Sequence, residues 1–511
     1  MEAGNQVEAP RWWERRWLHA LLILLTIVPL IYPQVPPLVD LPGHIGRYRV
    51  ELDLHQSPSL QEYFGFHWVV MGNLGVDLLI LPLAPLIGLE PAVKLIVLLI
   101  PPMTAAGFLR VAREVHGRVP PTAFFALPFV YNFPFLFGFA NYSLAVALTF
   151  LAFGVWLRLS RLGRIGVRNA LFVPISVIIF FCHVYGWALL GLMCFSAEAV
   201  RLHDLKRRWL PAALGSALNC AGMALPIVIA LAWPGGDKSG FGLGWFDWDA
   251  KWIALMSILR DRWGPFDVSS VELGVVIFLF ALASPKLALS RSLVLAAALL
   301  LVSFVVLPRY VLNSAYADAR LLPYLFAVAL LSIRLRQPID RRVGNFLAVL
   351  GLAFFAVRLA GTTASFAIAA KDQDAKLQAI DHLPRGARVA SFYGLPTAEP
   401  WALPRDSHLS GLVIARREGF ANDQWITANL TMLELKYRQA DGFAINPSQV
   451  VRPNGEHDAV YRTIDEALAQ VPRNSFDYIW LIEVPPYDKR LLNGLQPVWQ
   501  GPGSALYRIP H

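Results

Sequence analysis

The chain has 511 residues, of which 56% are hydrophobic and only 16% charged, with a mean hydropathy of +0.48. Soluble globular domains are about a quarter charged, so this composition excludes one, and repeated apolar runs ended by Arg/Lys clusters predict a polytopic α-helical membrane protein. The net charge of +9 is not a nucleic-acid footprint. The basic residues sit in short connections between apolar runs, where membrane topology accounts for them.

The chain opens with Arg11, Arg15 and Arg16 beside Trp12, Trp13 and Trp17, followed by an apolar run from Leu18 to Val35. Arginines with a tryptophan belt mark the cytoplasmic edge of a first helix. No small-residue cleavage site follows, so the helix reads as retained rather than as a signal peptide. The loop 36–75 then lies on the opposite face. It carries Asp40, His44, Arg47, Tyr48, Arg49, Glu51, Asp53, His55, Glu62 and His67 in apolar surroundings. Ionisable groups at a bilayer edge are costly unless they face water or a substrate.

Further basic clusters are Arg110/Arg113/Arg118, Arg158/Arg161/Arg164/Arg168, Arg201/Lys206/Arg207/Arg208, Lys286/Arg291 and Arg334/Arg336/Arg341/Arg342. All are cytoplasmic if helices cover 120–133, 141–158, 169–183, 184–200, 210–232, 267–285, 293–308, 320–334 and 343–361. Several fall short of the roughly 20 residues of a simple span, which is tolerated where they line a cavity. Between Val69 and Arg110, Pro82, Pro85, Pro101 and Pro102 blur the boundaries, and either one or three crossings keep the parity. The expectation is 11 or 13 transmembrane helices, with the N-terminus cytoplasmic and the C-terminus outside. Cys182, Cys194 and Cys220 all lie in apolar runs and imply no disulfide framework.

The non-cytoplasmic connections are Tyr131 to Tyr142, a turn at His183, Pro234 to Pro265, and Arg309 to Ala319. The 234–265 stretch sets Asp237, Asp247, Asp249 and Asp261 beside Trp245, Trp248, Trp252 and Trp263. It reads either as an interfacial segment with a tryptophan anchor or as a lid over a lipid-linked substrate. The long apolar runs end at Ala370, dividing the chain into a membrane domain, 1–370, and a small extracytoplasmic α/β domain, 371–511. In the second, Arg388–Gly394 and Phe476–Glu483 read as core strands. A hairpin turns at Gly501-Pro502-Gly503, and Thr463 caps a helix with Glu466 three residues on. No repeat or Gly-rich phosphate loop appears. Asn141-Tyr-Ser and Asn429-Leu-Thr match the glycosylation sequon, a pattern common by chance.

Asp40 precedes Leu41-Pro42 at the start of a helix and is a candidate N-cap. His44, Tyr48, Glu51 and His55 follow at three- or four-residue steps and share a face able to hold a polar substrate. A carboxylate and a histidine four apart are also candidate ligands for a divalent metal, Mg or Mn, although spacing fixes no third ligand. Asn132, Asn141 and Tyr142 bracket a Phe-rich turn on the same side, and His183 lies between two short helices. Tyr316-Ala-Asp318-Ala-Arg320 places an acid and a base at the outer end of a helix. Arg320 either snorkels in a plain ion pair or binds a phosphate with its fork.

A first helix, an outer loop opening on Asp40, many further helices and an outer C-terminal domain together resemble the GT-C superfamily of membrane glycosyltransferases. That superfamily includes protein O-mannosyltransferases, oligosaccharyltransferases and aminoarabinose transferases. Asn73-Leu-Gly-Val-Asp-Leu-Leu through Ala92-Val-Lys-Leu to Arg110 is similar to the second part of that fold, and Asp40-x-x-x-His44 to a pattern in its bacterial members. Leu41 departs from the Asp-Glu pair of the mannosyltransferases. The resemblance implies an inverting transfer in which Asp40 is the base or a metal ligand. The donor is a polyprenyl-phosphate-linked sugar, and the acceptor is a protein, lipid or glycan. His44 is placed beside the base. Arg47, Tyr48, Glu51, His183, Asp318 and Arg320 are assigned to substrate, and Arg320, Arg309 or a metal to the leaving phosphate. The location implied is a bacterial inner membrane with a periplasmic C-terminal domain. A transporter or flippase for a polar or lipid-linked substrate is the alternative, and a non-catalytic assembly or sensor protein the third reading. A transporter should show internal repeats and mid-membrane charges.

Overall fold

The computed structural model describes residues 11–205, 208–232, 242–311, 314–395, 401–426, 431–456 and 459–511. Lys206, Arg207, Asp237 and Asn429, named above, lie outside the described residues. Among the described residues six helices are long and apolar enough to cross a membrane, and shorter apolar helices pack among them.

The first apolar run forms α1 (Arg16–Leu25) and α2 (Val28–Ile31). The outer loop folds as α3 (Leu41–Asp53), α4 (Pro58–Tyr63) and β1 (Phe64–Phe66). The ambiguous proline-rich region resolves into α5 (Gly75–Ile87) and α6 (Leu89–His116). They are separated by Gly88, whose φ of +87° is a conformation that glycine adopts without strain. Both ends of α5 meet the same end of the bundle. Asp77 in its first turn pairs with Arg47 of α3, and Glu90 just beyond its last turn pairs with Arg416 of the C-terminal domain. A 3-10 stretch, Pro121–Tyr131, leads to α7 (Phe133–Phe137). Then come α8 (Ala140–Arg161), α9 (Ile165–Cys182), α10 (Val184–Asp204), α11 (Trp209–Cys220), α12 (Leu225–Ala232), α13 (Trp248–Met256) and α14 (Gly264–Ala283). The membrane part ends with β2 (Leu287–Leu289), α15 (Arg291–Val306), α16 (Leu322–Leu331), β3 (Ile333–Leu335) and α17 (Arg341–Leu377).

The helix expected over 343–361 is instead 37 residues long, or about 55 Å at 1.5 Å per residue. It runs through the compositional boundary at Ala370 because no breaker stands there. Its last turns present Gln373 and Lys376 to the C-terminal domain, where both bond Asp406.

The basic clusters gather at one end of the bundle. Arg118 pairs with Glu14, Arg161 with Glu114, Arg291 with Asp204, and Lys286 with Asp340. β2 and β3 pair antiparallel there. Arg168 departs from the expected exposed cluster. It is fully buried, ion-paired to Glu198 at 2.7 Å and stacked over Trp156.

The opposite end carries the C-terminal domain, built from β4 (Arg388–Gly394), α18 (Gly411–Arg417), β5 (Phe420–Ala421), β6 (Leu433–Leu435), β7 (Val450–Arg452), β8 (Arg462–Thr463), α19 (Ile464–Gln470), β9 (Tyr478–Ile482), β10 (Gln496–Gly501) and β11 (Ser504–Arg508). Its sheet runs β10-β11-β9-β4-β7-β8, with β5 also on β4. The central strands β4 and β9 are parallel, in register from Val389↔Tyr478 to Tyr393↔Ile482. Both are almost entirely buried, as strands covered on two faces should be. Thr463 and Glu466 close a capping box on α19. Two features dock this domain on the outer loop: β1 pairs antiparallel with β6, and α18 lies across α3 with glycines at the crossing.

Candidate functional site

A cavity of about 940 Å³ lies between the C-terminal domain and the adjoining end of the helix bundle. Asp40, His44, Tyr48, His183, Asp318 and Arg320 all line it.

Asp40 stands at the N-cap position of α3 but caps nothing with its side chain. Its backbone is αR (φ −86°, ψ −11°) rather than extended, which turns the carboxylate away from the first helical N–H groups, and Pro42 removes one of those donors. Its own N–H bonds the carbonyl of Phe137 at 2.9 Å. Beneath it Gly138 turns between α7 and α8 at φ +101°, where a Cβ would stand 2.8 Å from the Asp40 nitrogen. Burial pushes the carboxyl up to about 8 against the opposing pull of Arg320.

Arg320 enters from the turn preceding α16 and is buried. It donates to the Ala315 carbonyl at 3.0 Å and lies 4.0 Å over the Phe139 ring. Among the described residues no carboxylate stands within ion-pairing distance of it, and its Nε has no partner. Its Nη1 is 3.4 Å from Nε2 of His183. The backbone N–H of Tyr185 donates to Nδ1 of His183, capping α10, so the neutral ring carries its hydrogen on Nε2. Two donors therefore face one another with no acceptor between them. Asp318 is bound to Lys251 of α13 at 2.9 Å, and Lys251 also holds the Phe304 and Leu307 carbonyls. That contact fixes α13 as a cavity wall. Its Ala250, Ile253 and Ala254 face in, while Trp248 and Trp252 are about 60% exposed on the outside. The stretch is thus a wall and an aromatic belt at once.

Two expectations for the polar face of α3 are corrected. Arg47 and Glu51 do not line the cavity: Arg47 pairs with Asp77 at 2.5 Å and approaches Glu51 at 3.9 Å. The α5 segment brings an acid to that face, and the cluster is an internal brace, in which burial and Asp77 hold the Glu51 carboxyl above its usual range. His55 lies past the end of the helix and is exposed. Asn132 caps α7, and Asn141 latches Val76, Asn73 and Asp77, so both are structural ties around the site.

Sequence reasoning missed the contribution of the C-terminal domain. His408, Trp425 and Tyr393 line the same cavity. The ring of Trp425 sits 4.2 Å from that of His408 and 5.1 Å from that of His44, wedged between them. Nε2 of His408 is 4.0 Å from Asp40 Oδ1. Its Nδ1 lies 3.2 Å from the Asp423 carbonyl and 4.0 Å from Asp423 Oδ2, a buried oxygen without a partner.

Around Asp40 and His44 no third metal ligand converges among the described residues. The group that does converge, within 4.8 Å, is Asp372, Asp406 and Glu483. Nζ of Lys376 sits among these at 2.6, 2.6 and 2.8 Å, so an ammonium already occupies the point where they converge. Asp40 and His44 alone therefore offer two protein ligands at that position.

No known family profile and no curated protein matches the chain. Among solved structures, ArnT from Cupriavidus metallidurans in the apo state is similar at a TM-score of 0.49 and 13% identity, over 96% of this chain and 97% of that one. The same protein bound to undecaprenyl phosphate is similar at 0.47 and 13%, over the same shares. Arabinofuranosyltransferase AftD from Mycobacteria is similar at 0.45 and 16%, over 97% of this chain but 40% of that one. At these scores and identities the likeness assigns neither site nor activity.

Proposed function

We propose that the chain is a membrane glycosyltransferase that moves a sugar from a polyprenyl-phosphate donor to an acceptor hydroxyl, with inversion at the anomeric carbon. One observation carries this reading. A buried guanidinium without a carboxylate partner shares a cavity with a buried, uncapped carboxylate. A buried cation left unpaired is costly, so the site is built for an anion that the protein does not itself supply. The converging donors of Arg320 and His183 suit a phosphate oxygen. Asp40 takes the acceptor's proton, and Arg320 neutralises the charge that develops on the departing lipid phosphate. Phe133 and Phe137, which also line the cavity, give the sugar or acceptor an aromatic surface to pack on.

The Arg-rich end is assigned to the cytoplasm, and the cavity with the C-terminal domain to the periplasmic face of a bacterial inner membrane. With α5 lying along the membrane surface, α6 makes the single crossing of its region. The crossings are then α1–α2, α6, the 3-10 stretch with α7, α8, α9, α10, α11–α12, α14, α15, α16 and α17, which makes 11.

Purified protein in lipid nanodiscs, incubated with radiolabelled undecaprenyl-phosphate glucose, mannose and arabinose and a bacterial envelope extract as the source of acceptor, should move label off the lipid. Asp40→Asn should lower turnover about 10²–10⁴-fold, and Arg320→Ala about 10²–10³-fold. A chelator should leave the rate unchanged, because Arg320 rather than an ion carries the charge. Equal turnover in all three proteins would remove the assignment. Transmembrane flux of the lipid-linked sugar without turnover would move the reading to a transporter.

A further inference from the structure

Asp423 is an acid with no evident structural task. It is completely buried, its Oδ1 accepts from Gln424 Nε2, and its Oδ2 has no partner. Burial pushes its carboxyl up to about 7 against the opposing pull of the Gln424 amide. Between it and Asp40 stands His408, itself buried. The Asp423 carbonyl can only accept, so Nδ1 of His408 carries the ring hydrogen and Nε2 presents its lone pair to Asp40. The imidazole is held by a tilted ring contact with Trp425 at 4.2 Å, and Trp425 in turn meets the His44 ring at 5.1 Å. The order across the domain boundary is carboxylate, imidazole, carboxylate.

Resting on the glycosyl-transfer reading above, we infer that Asp40, His408 and Asp423 form a proton relay that carries the acceptor's proton out of the reacting centre into the C-terminal domain. The bookkeeping closes without an outside reagent. The acceptor O–H breaks and its proton goes to Asp40, while the acceptor oxygen bonds the anomeric carbon. The bond from that carbon to the phosphate oxygen breaks, and its electron pair leaves on the phosphate beside Arg320. Asp40 then passes its proton to Nε2 of His408, as the Nδ1 proton leaves the Asp423 carbonyl for Oδ2 of the same residue, each transfer closing a gap that stands at 4.0 Å. Asp40 is again a carboxylate, Asp423 is a carboxylic acid, and the imidazole ends neutral. That last point matters in this pocket, where burial and the neighbouring His44 push the His408 imidazolium down to about 3. A relay through both ring nitrogens needs no stable imidazolium. The groups facing the chain are Arg320 at Asp40, His44 and Trp425 at His408, and Gln424, Ser410 and the Gly411 N–H at Asp423. His408 and Asp423 act through Asp40, so they are positioning residues rather than groups that touch the reacting atoms.

The test uses the full chain in nanodiscs, with multiple-turnover release from undecaprenyl-phosphate mannose or whichever of the three labelled sugars turns over, since the relay resets Asp40 after each transfer. Asp423→Asn and His408→Gln should each slow the step about 10²-fold, leave the affinity for undecaprenyl phosphate within about twofold, and shift the rising limb of the pH–rate profile. In the wild type, rates in H2O–D2O mixtures should curve downward, as expected when more than one proton moves in the step. If either variant fails to fold, that solvent measurement still decides the matter. A linear isotope plot overturns the relay. So does a wild-type rate and pH profile in both variants while Asp40→Asn is dead. An active Asp40→Asn would instead remove the transferase site itself, and with it the basis of the relay.

Discussion

At the scale of single residues, Asp40 works in opposite directions for stability and for chemistry. Its folded carboxyl is raised from the usual 3.8 to about 8 by burial, so the folded protein binds a proton that the unfolded chain has released. A raised acid contributes stability that is fully present below pH 4 and is lost as pH climbs through 8. Melting temperature should therefore fall over that window, and Asp40→Asn, which cannot ionise, should melt higher than wild type at pH 8. Turnover should move the other way, rising towards pH 8 as the base ionises. A variant no more stable than wild type at pH 8 would mean that the carboxyl is not buried as described. Asp40 and Arg320 stood out as candidates in the sequence because each lies where an apolar run meets a cluster of ionisable groups, and such groups need a reason. Arg47 and Glu51 were misplaced for a definite cause: periodicity gives the face of a helix, not what arrives against it, and Asp77 arrives from a different element. His408 and Asp423 sit in a turn-rich stretch more than 360 residues from Asp40, with no local pattern to mark them.

At the scale of elements, the site depends on how closely α18 can approach α3. A Cβ at Gly46 would stand 2.6 Å from the Gly411 carbonyl oxygen, and one at Gly411 would stand 2.5 Å from that of Pro42. The opposing atoms are backbone, so nothing can rotate aside. Gly46→Ala should cost about 1–3 kcal/mol by overpacking. It should also lower turnover about tenfold or more, because the two helices bring Asp40 and His408 together. Gly191→Ala is the control. It lies inside α10 with open space around its missing Cβ, and should stabilise by about 0.5–1 kcal/mol. Thermal denaturation and turnover of both variants decide it, and equal behaviour would show that the crossing is loose. The strands of the C-terminal domain could be read in advance because buried parallel strands are short continuous apolar runs. The crossing could not, since Gly46 and Gly411, in segments far apart in the sequence, carry no sign that they meet.

For the whole molecule, the open matter is which way the bundle stands in the membrane and how often the chain passes through. Sequence parity allowed one or three crossings between Val69 and Arg110, because four prolines hid the helix ends. The ion pairs of Asp77 and Glu90 bring both ends of α5 to the side of the C-terminal domain, and α6 then runs unbroken for 28 residues to the arginine cluster at the other end. A helix of 28 residues, about 42 Å long, crosses once. The proposed orientation therefore places Ile87, beside the α5–α6 bend, on the periplasmic face, and Leu162, in the turn after α8, on the cytoplasmic face. Both are exposed, at 46% and 55%. Cys220, the most open of the three native cysteines, is first changed to alanine to lower background. An impermeant maleimide added to intact spheroplasts should then label Ile87→Cys and spare Leu162→Cys until the membrane is opened. Labelling in the reverse order would turn the molecule over and put the Asp40 cavity in the cytoplasm, where the topological argument for a lipid-linked donor no longer holds. Labelling of both sites only after the membrane is opened would overturn the placement of α5 along the periplasmic surface.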